Sequence, residues 1–481
     1  MSRCPRMTRA ARHLALACAA AAIAGCAAVG PDYRRPAVTL PGSFAGEATD
    51  AAAGAVQPRW WTAYGDPTLT RLVDGALLRN ADVRLAAARV DETEAVLAQA
   101  RAALFPQVDL QGGVNRTRSS TLGAQPIPVG GEILSTSNRL VLSTAFEIDF
   151  WGRLRRGDEA ARAQALGSRH AESVVGLTLA GATAQTYFAL RSLDAQAGAL
   201  QGTVASREES LELARRRLSG GLASELDVAQ AAGALADARV LLRDVQRQRG
   251  LVENQLAVLA GEPGALVPAT TAGLDALPLP PLPPAGLPST LVDRRPDLRE
   301  AEQALATATA LIGVAKAQEY PTFSLTALLG NQAAELTDIL SSGGRIGSIG
   351  ASVFWPVLDA GRYAARTREA EARAEQAAAA YERAAQTAWR EVADALGNTR
   401  SAAQAEADVA ARLQAARETL RITRLRYDAG YAAYLEVLDA QRTLNAAELA
   451  SIRHRQARLA YSVDLMKALG GGWQPAEVAG R

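Results

Sequence analysis

The sequence predicts a mostly α-helical chain that carries short β-hairpins and is written as one unit used twice. Three observations predict this. First, RRRLSGGLASELDVAQAAG at 215–233 and RLRYDAGYAAYLEVLDAQR at 424–442 each run a helical pattern into a glycine (Gly221, Gly430) and start a second helix at once. Both continue to a further glycine, Gly261 or Gly470, at the same spacing, which marks a duplicated unit. Second, two segments alternate apolar and polar residues with the period of a strand. Third, each unit holds one long stretch without proline. Aromatic residues make up only 5% of the chain and alanine carries much of the apolar share. That composition predicts long, closely packed helices wetted on more than one side, without a large aromatic core.

Residues 1–25 read as a targeting segment. Arg3, Arg6, Arg9 and Arg12 give a basic start, and Leu14 to Ile23 is an apolar run too short for a permanent span. Ile23-Ala24-Gly25-Cys26 resembles a bacterial lipobox, in which the cysteine is acylated and becomes the mature N-terminus. An ordinary secretory signal with Cys26 as an incidental thiol is the alternative. Acyl chains, at about 0.8 kcal/mol per buried CH2, would tether the chain to a membrane. Ala27 rather than aspartate follows the cysteine, which by resemblance to lipoproteins favours sorting to the outer membrane. Removing the four arginines turns the formal charge from +2 to −2, so no nucleic-acid surface is implied. Cys4 and Cys18 leave as well, and Cys26 alone permits no disulfide within the chain.

The mature chain is then read in order. Residues 26–65 contain Pro31, Pro36 and Pro41 and predict a lipidated, extended tether, about 3 Å per residue in polyproline form. The first repeat spans 66–261. Asp66-Pro67 signals a helix start, and the helical pattern runs to Leu104 before Phe105-Pro106 stops it. A β-hairpin is predicted within 107–150. Val108, Leu110, Gly112 and Val114 alternate with polar residues, and Leu140, Leu142, Thr144, Phe146, Ile148 and Phe150 alternate with a set that includes Glu147 and Asp149. One face suits lipid and the other a watery lumen, although a hairpin of a soluble sheet fits this segment equally. Phe105, Trp151, Tyr320 and Trp355 stand at strand ends, as an interfacial aromatic girdle or as loop packing. From Arg153 a helix of about 65 residues, roughly 100 Å at 1.5 Å each, leads to the turn at Gly221. The return helix spaces Val245, Val252 and Leu259 by sevens, as a coiled-coil seam requires.

Residues 262–289, with Pro278, Pro280, Pro281, Pro283 and Pro284, predict a linker between repeats. The second repeat, 290–470, restates the first. Asp297-Leu298-Arg299 echoes Asp82-Val83-Arg84, Tyr320-Pro321 echoes Phe105-Pro106, and a second hairpin falls within 322–357. Another long helix follows to Tyr427, then the turn at Gly430, then a helix in which Ile452, Leu459 and Met466 step by sevens. Residues 471–481 form a tail.

Four strands of about ten residues match a membrane's thickness, but a small barrel needs about eight. An open edge in lipid leaves backbone groups unpaired at several kcal/mol each, so copies must share one barrel. Two copies would give eight strands and three would give twelve; periodicity does not choose between them. The helices attached to the strand ends are expected to continue the barrel as a tube outside the membrane.

Cys26 with GPDYRRP, the DFWGR run at Asp149 to Arg153, Arg294-Arg295-Pro296-Asp297, and Leu435-Glu436-Val437-Leu438-Asp439-Ala440-Gln441-Arg442 together resemble the TolC-like outer-membrane efflux family. The likeness is to its lipoprotein branch, typified by NodT and OprM, and covers essentially the whole mature chain. The resemblance implies a homotrimer with a twelve-stranded transmembrane β-barrel, four strands per chain, continuing into a long periplasmic α-helical barrel. It implies small-molecule export, with an RND-type inner-membrane pump and a periplasmic adaptor protein as partners. It also implies no cofactor beyond the lipid on Cys26, no metal site, and adaptor contact at the hairpin tips, Gly221 and Gly430. On the same basis Asp439 matches the family's aperture aspartate, with Leu435 and Arg442 one turn to either side and Glu436 beside it. Tyr427 matches a tyrosine that ties neighbouring coils, with Asp227 in its partner region. Three-fold symmetry would make Asp439 a ring of carboxylates that repel one another and attract cations. The bland alternative is a surface pair of Asp439 with Arg442, three residues on, worth a few tenths of a kcal/mol.

Other functions fit less well. Only His170 and His454 remain after processing, both in helical stretches without a third partner, and no metal-ligand spacing or nucleotide loop occurs, so an enzyme is not expected. A coiled-coil lipoprotein without a pore would need no strands. Export of proteins through a type I secretion partner would keep the pore; the lipobox favours drug or metal efflux.

Overall fold

The computed structural model describes residues 28–44, 56–120, 133–267, 274–281, 283 and 291–473. The signal segment, Cys26, parts of the inter-repeat linker and all but the first residues of the tail lie outside the described residues. The helices are α1 (Pro67–Arg79), α2 (Ala81–Ala102), α3 (Arg153–Ser219), α4 (Glu225–Leu259), α5 (Leu291–Arg294), α6 (Pro296–Ala317), α7 (Arg362–Asp428) and α8 (Tyr434–Ala468). The strands are β1 (Gln107–Arg118), β2 (Leu134–Ile148), β3 (Thr322–Ala333) and β4 (Arg345–Phe354). The duplication is metric as well as textual. α2 and α6 both have 22 residues, α3 and α7 both 67, and α4 and α8 both 35.

Each predicted opening helix is broken once. α1 and α2 are separated by Asn80, whose backbone is extended, with φ −61° and ψ 141°. Its side chain explains the break: Oδ1 accepts from the Asp82 N–H at 2.7 Å, while Nδ2 donates to the Leu259 carbonyl at 3.0 Å. In the second repeat Arg295 takes the same place between α5 and α6, and Pro296 cannot continue a helix behind it.

The chain forms two compact units, the first drawn from Met1–Pro36, Val90–Gly167 and Ala301–Tyr381, the second from the remainder. The first unit holds the strands. They form one antiparallel sheet in the order β1-β2-β3-β4, so the hairpins of the two repeats pair with each other through β2 and β3. Partners across the register share a face: Leu110 with Leu142, Leu142 with Leu329, Ala327 with Ile349, Phe323 with Val353. That face is apolar, and Val108, Leu110, Val114, Leu329, Ile349 and Val353 on it are exposed. The opposite face carries Asp109, Gln111, Ser143, Glu147, Ser324, Thr326, Ser348 and Ser352. β1 and β4 have no outer neighbour among the described residues.

The turns from sheet to long helix explain the repeated aspartate and Gly-Arg. Asp149 accepts from the N–H groups of Leu154 (3.1 Å) and Arg155 (2.9 Å), and Asp359 accepts from Gly361 (3.0 Å) and Tyr363 (2.8 Å). Each carboxylate caps the start of its helix. The glycines Gly152 and Gly361 take φ of 78° and 81°, a region that side chains disfavour.

Residues 28–36 are extended, as their prolines predict, but they are docked rather than loose. The Val29 N–H donates to the Trp151 carbonyl at 2.9 Å. Asp32 pairs with the buried Arg156 at 2.7 Å, and Arg35 grips Glu302 through two contacts of 2.8 and 2.9 Å. A Cβ on Gly30 would lie 2.5 Å from the Gly313 Cα, so two glycines make this approach possible. Nearby, Trp151 stacks on Tyr320 at 4.7 Å and donates its indole N–H to the Pro321 carbonyl at 2.8 Å. Phe105 and Trp355 stay exposed.

The second unit holds the helical cores. Despite the low aromatic content, Trp60, Trp61, Tyr64, Tyr187 and Phe188 gather in one buried cluster with Leu69, Leu256 and Leu459. Of the residues spaced by sevens, Leu459 and Met466 are buried and Val252 and Ile452 are partly so. A second cluster joins Phe44, Leu291, Leu298, Val392 and Leu465. Each repeat is pinned by an arginine, half-buried in the first and buried in the second. Arg249 bonds Asp194 (2.7 Å), Glu253 (2.8 Å) and the Val267 carbonyl (2.9 Å). Arg295 bonds Asp297 (2.7 Å), Glu391 (2.7 Å) and the Ala468 carbonyl (3.0 Å), which gives the RRPD run its structural sense.

Gly330 lies so close to β2 that a Cβ there would meet the Leu140 carbonyl oxygen at 2.2 Å, whereas a Cβ on Gly113 would meet nothing within 4 Å. Gly330→Val is therefore expected to lower the yield of folded, detergent-extracted protein sharply, and Gly113→Val to leave it near wild type. Equal yields would remove the significance of this contact.

Candidate functional site

The candidate site is the pair of helical hairpin tips in the second unit, α3–α4 and α7–α8. Both tips are built the same way. The Leu222 N–H reaches back to the Arg217 carbonyl at 2.8 Å, and the Tyr431 N–H to the Arg426 carbonyl at 2.8 Å. Gly221 and Gly430 sit between with φ of 73° and 79°. These are helix ends closed by a left-handed residue, and glycine suits them because a positive φ strains any residue that carries a Cβ.

The starts of the return helices differ. In α4, Ser224 Oγ accepts from the Asp227 N–H at 3.3 Å and Asp227 Oδ2 accepts from the Ser224 N–H at 3.0 Å. That reciprocal cap satisfies two otherwise orphaned donors. In α8 the matching positions are Ala433 and Glu436. Glu436 Oε1 accepts from the Ala433 N–H at 3.1 Å, but alanine offers no side-chain acceptor in return, so half the cap is missing. Glu436 also lies 3.9 Å from Arg426. Thus Asp227 and Glu436, six residues past their glycines, both act at helix starts.

Asp439 stands elsewhere. Leu435, Asp439 and Arg442 are all exposed on one face of α8, while Tyr434, Val437, Leu438, Ala440 and Gln441 are buried on the other. Neither Asp439 nor Arg442 has an ion-pair partner within 4.0 Å among the described residues, so the surface pair weighed above is not formed. Helical spacing alone brings Leu435, Asp439 and Arg442 into line. In chemical terms this is an acidic group between an apolar and a basic one, on a stripe that nothing in a single chain covers.

The two hairpins pack through a cluster of Leu211, Ala214, Ala231, Leu235, Leu420, Tyr434, Val437 and Ala440. Alanines at the contacts let the helices lie close. Tyr427 belongs to this junction: its ring lies 5.8 Å from that of Tyr434, and the Arg217 guanidinium sits 4.3 Å above it. Arg217 also reaches Asp428 at 3.4 Å. Asp227 makes no hydrogen bond to Tyr427; it remains a neighbour of Tyr434, whose hydroxyl it helps to hold in the protonated form after the larger effect of burial.

Sequence reasoning passed over Arg217, Ser224 and Arg207. Arg217 and Arg426 hold the same place relative to Gly221 and Gly430, and that correspondence was the available signal. Arg207, only 4% exposed, donates to the Ala234 carbonyl and offers no periodic or motif signal at all.

Among the described residues no helix is long and apolar enough to cross a membrane, whereas the sheet presents a continuous apolar face. Comparison with known proteins agrees with this division. The chain is 33% identical over 470 residues to the solvent efflux pump outer membrane protein SrpC of Pseudomonas putida, covering 95% of this chain and 97% of that one. It is 32% identical over 461 residues to the cation efflux system protein CusC of Escherichia coli, covering 95% and 98%. The solved structure of the outer-membrane channel OprN superposes with a TM-score of 0.85 at 29% identity, over 93% of this chain and 100% of that one. The model of the outer membrane efflux protein family matches residues 72–262 and 287–471, one match per repeat, and the chain belongs to that family.

Proposed function

We propose that this chain is the outer-membrane channel of a tripartite efflux system, exporting small molecules through a trimer whose periplasmic end is gated by the α7–α8 hairpin. One observation carries the reading: a four-stranded meander with one exposed apolar face and two open edges. Such a sheet is complete only when β1 of one copy meets β4 of the next, and three copies give the twelve strands of a closed barrel. The apolar face then meets lipid, and Asp109 and Glu147 face the lumen. Acylation of Cys26 would add a second hold on the membrane, next to residues 28–36, which are docked on the unit that carries the strands.

In this reading Leu435, Asp439 and Arg442 line the aperture, and symmetry places three Asp439 carboxylates about one axis. Glu436 and Asp227 serve the helix starts rather than the ring. Tyr427, with Arg217 and Asp428, holds the second hairpin against the first. The tips at Gly221 and Gly430 expose Leu222, Leu226 and Tyr431, an apolar rim suited to a periplasmic adaptor that links the channel to an RND-type pump. The named relatives act on solvents and cations, which supports small molecules as the exported class.

The function is tested in a deletion strain profiled against dyes, antibiotics, solvents and metals. Hypersensitivity to at least one class, restored by the wild-type chain, is expected; an unchanged profile overturns efflux as the role. Detergent-extracted protein is expected to have the mass of three chains and to resist dissociation in SDS at low temperature. A monodisperse single copy, stable without detergent, would refute the shared barrel.

The aperture assignment makes a paired prediction. Asp439→Ala should raise planar-bilayer conductance several-fold by removing the charged constriction. Ala433→Ser should lower it, because the restored cap adds about 1 kcal/mol to the start of α8. Unchanged conductance in Asp439→Ala would move the aperture to other residues.

A further inference from the structure

The second unit contains a cavity of about 340 Å³ between α3, α7 and α8, on the buried side of α8 and away from the Asp439 stripe. Gly198 and Gly202 line one wall, and a Cβ on either would meet nothing within 4 Å. These glycines therefore leave space rather than permit a close helix contact. At roughly 30 Å³ per water, the volume holds a hydrated small ion with room to spare.

The cavity opens to the surface at Gly198, Gly202 and Arg424; Leu420 and Leu444 are its apolar lining, and Arg207, Arg424 and Asn445 bring donors to it. Arg207 is buried; one of its terminal nitrogens donates to the Ala234 carbonyl, and its Nε has no acceptor. Arg424 contributes a second guanidinium, which donates to Ser206 Oγ at 2.5 Å. The Thr203 hydroxyl lies 3.1 Å from the Ala199 carbonyl and 3.4 Å from Asn445 Oδ1 and shares its proton between them, which leaves the Asn445 amide nitrogen as a donor. Gln441 donates to Ser210 Oγ at 3.4 Å while its buried Oε1 has no partner. The one acidic residue on the wall, Glu448, is engaged by Arg417 at 3.8 Å.

Charge points the same way. Neither Arg207 nor Arg424 has a carboxylate within 4.0 Å among the described residues. Burial, and then the nearby charge of Arg442, push the Arg207 pKa down, and Asp237 offsets this only in part. Water would satisfy the hydrogen bonds but would not neutralise the buried Arg207 guanidinium. A group that accepts from several donors and carries more than one negative charge does both.

We infer that this cavity binds a small, multivalent oxyanion of the phosphate or sulfate class, held by Arg207, Arg424 and Asn445. The site is composed from both hairpins, since α3 supplies Arg207 and α7–α8 supplies the rest. Occupancy therefore ties the second hairpin to the first. Binding does not depend on the channel reading; its effect on opening rests on that reading.

The test uses the full-length protein in detergent, with inorganic phosphate titrated against chloride at constant ionic strength. A saturable rise in melting temperature and a matching calorimetric isotherm are expected. Gly202→Leu fills the cavity without touching an arginine, and replacing glycine in a helix favours folding. This variant is expected to melt no lower than wild type in chloride and to lose the phosphate effect. Arg424→Gln should weaken phosphate at least tenfold. No phosphate-specific effect on the wild type overturns the site. So does a rise of equal size in Gly202→Leu, because that is the general stabilisation that phosphate and sulfate give any folded surface.

Discussion

The constraint on which the structure depends is the backbone of β1 and β4. Each strand presents a row of N–H and C=O groups with no outer partner, on a sheet whose exposed face is apolar. In water such an edge is an invitation to pair; in lipid each unpaired group costs several kcal/mol. Closure of the sheet is therefore not an option added to a finished protomer but the condition under which its face is stable. The capped turns at Asp149 and Asp359 follow from this. They hand each long helix to the end of a strand at a fixed position, so whatever closes the sheet also fixes where α3 and α7 begin.

Duplication supplies the regularity, and small departures from it supply the asymmetry. The paired helices match residue for residue in length, and among the differences between the tips three bear on the start of α8. Ser224 becomes Ala433, Asp227 becomes Glu436, and Gln230 becomes Asp439. The first change removes half a helix cap, the second keeps the other half, and the third sets a charge on an exposed stripe. All three changes fall within two turns of α8. A shared frame with a weaker, charged second hairpin is the arrangement expected where one hairpin serves as support and the other moves.

What the sequence disclosed was local, and what it hid was pairwise. Alternation named the apolar face of every strand correctly, because side chains on a pleated strand switch sides at each residue. It said nothing about β2 meeting β3, since period reports a face and not a neighbour. Glycine positions located both tips, because a left-handed helix end is a local demand. The break at Asn80 was missed because it depends on a carbonyl at Leu259, far along the chain. The docking of residues 28–36 was missed for the same reason: Arg35 and Glu302 are 267 residues apart, and proline content alone describes an extended segment without saying what it lies against. Asp439 came from a family likeness, Arg207 and Arg217 from neither source, since an arginine in a helix carries no mark of the ring or carbonyl it will meet.

Magnitudes indicate which part of the second unit yields first. The arginines Arg249 and Arg295 each hold several partners at half-buried or buried positions, and removing one partner approaches the cost of about 3 kcal/mol known for buried pairs. The links at the tips are of a different order. Arg217 over Tyr427 is a cation–π contact worth about 0.5–1 kcal/mol at a partly exposed site. The ion pairs of Arg217 with Asp428 and Arg426 with Glu436, at 3.4 and 3.9 Å, each lie in the range of about 0–1 kcal/mol. The incomplete cap at Ala433 subtracts about 1 kcal/mol more from the start of α8. Together these polar links are weaker than a single buried network, so contact between α7–α8 and α3–α4 rests chiefly on the apolar cluster of Leu211, Leu235, Leu420 and Val437. At a gate of the kind proposed above, the exposed polar links and the half-capped start of α8 would therefore yield before the paired charges around Arg249 and Arg295.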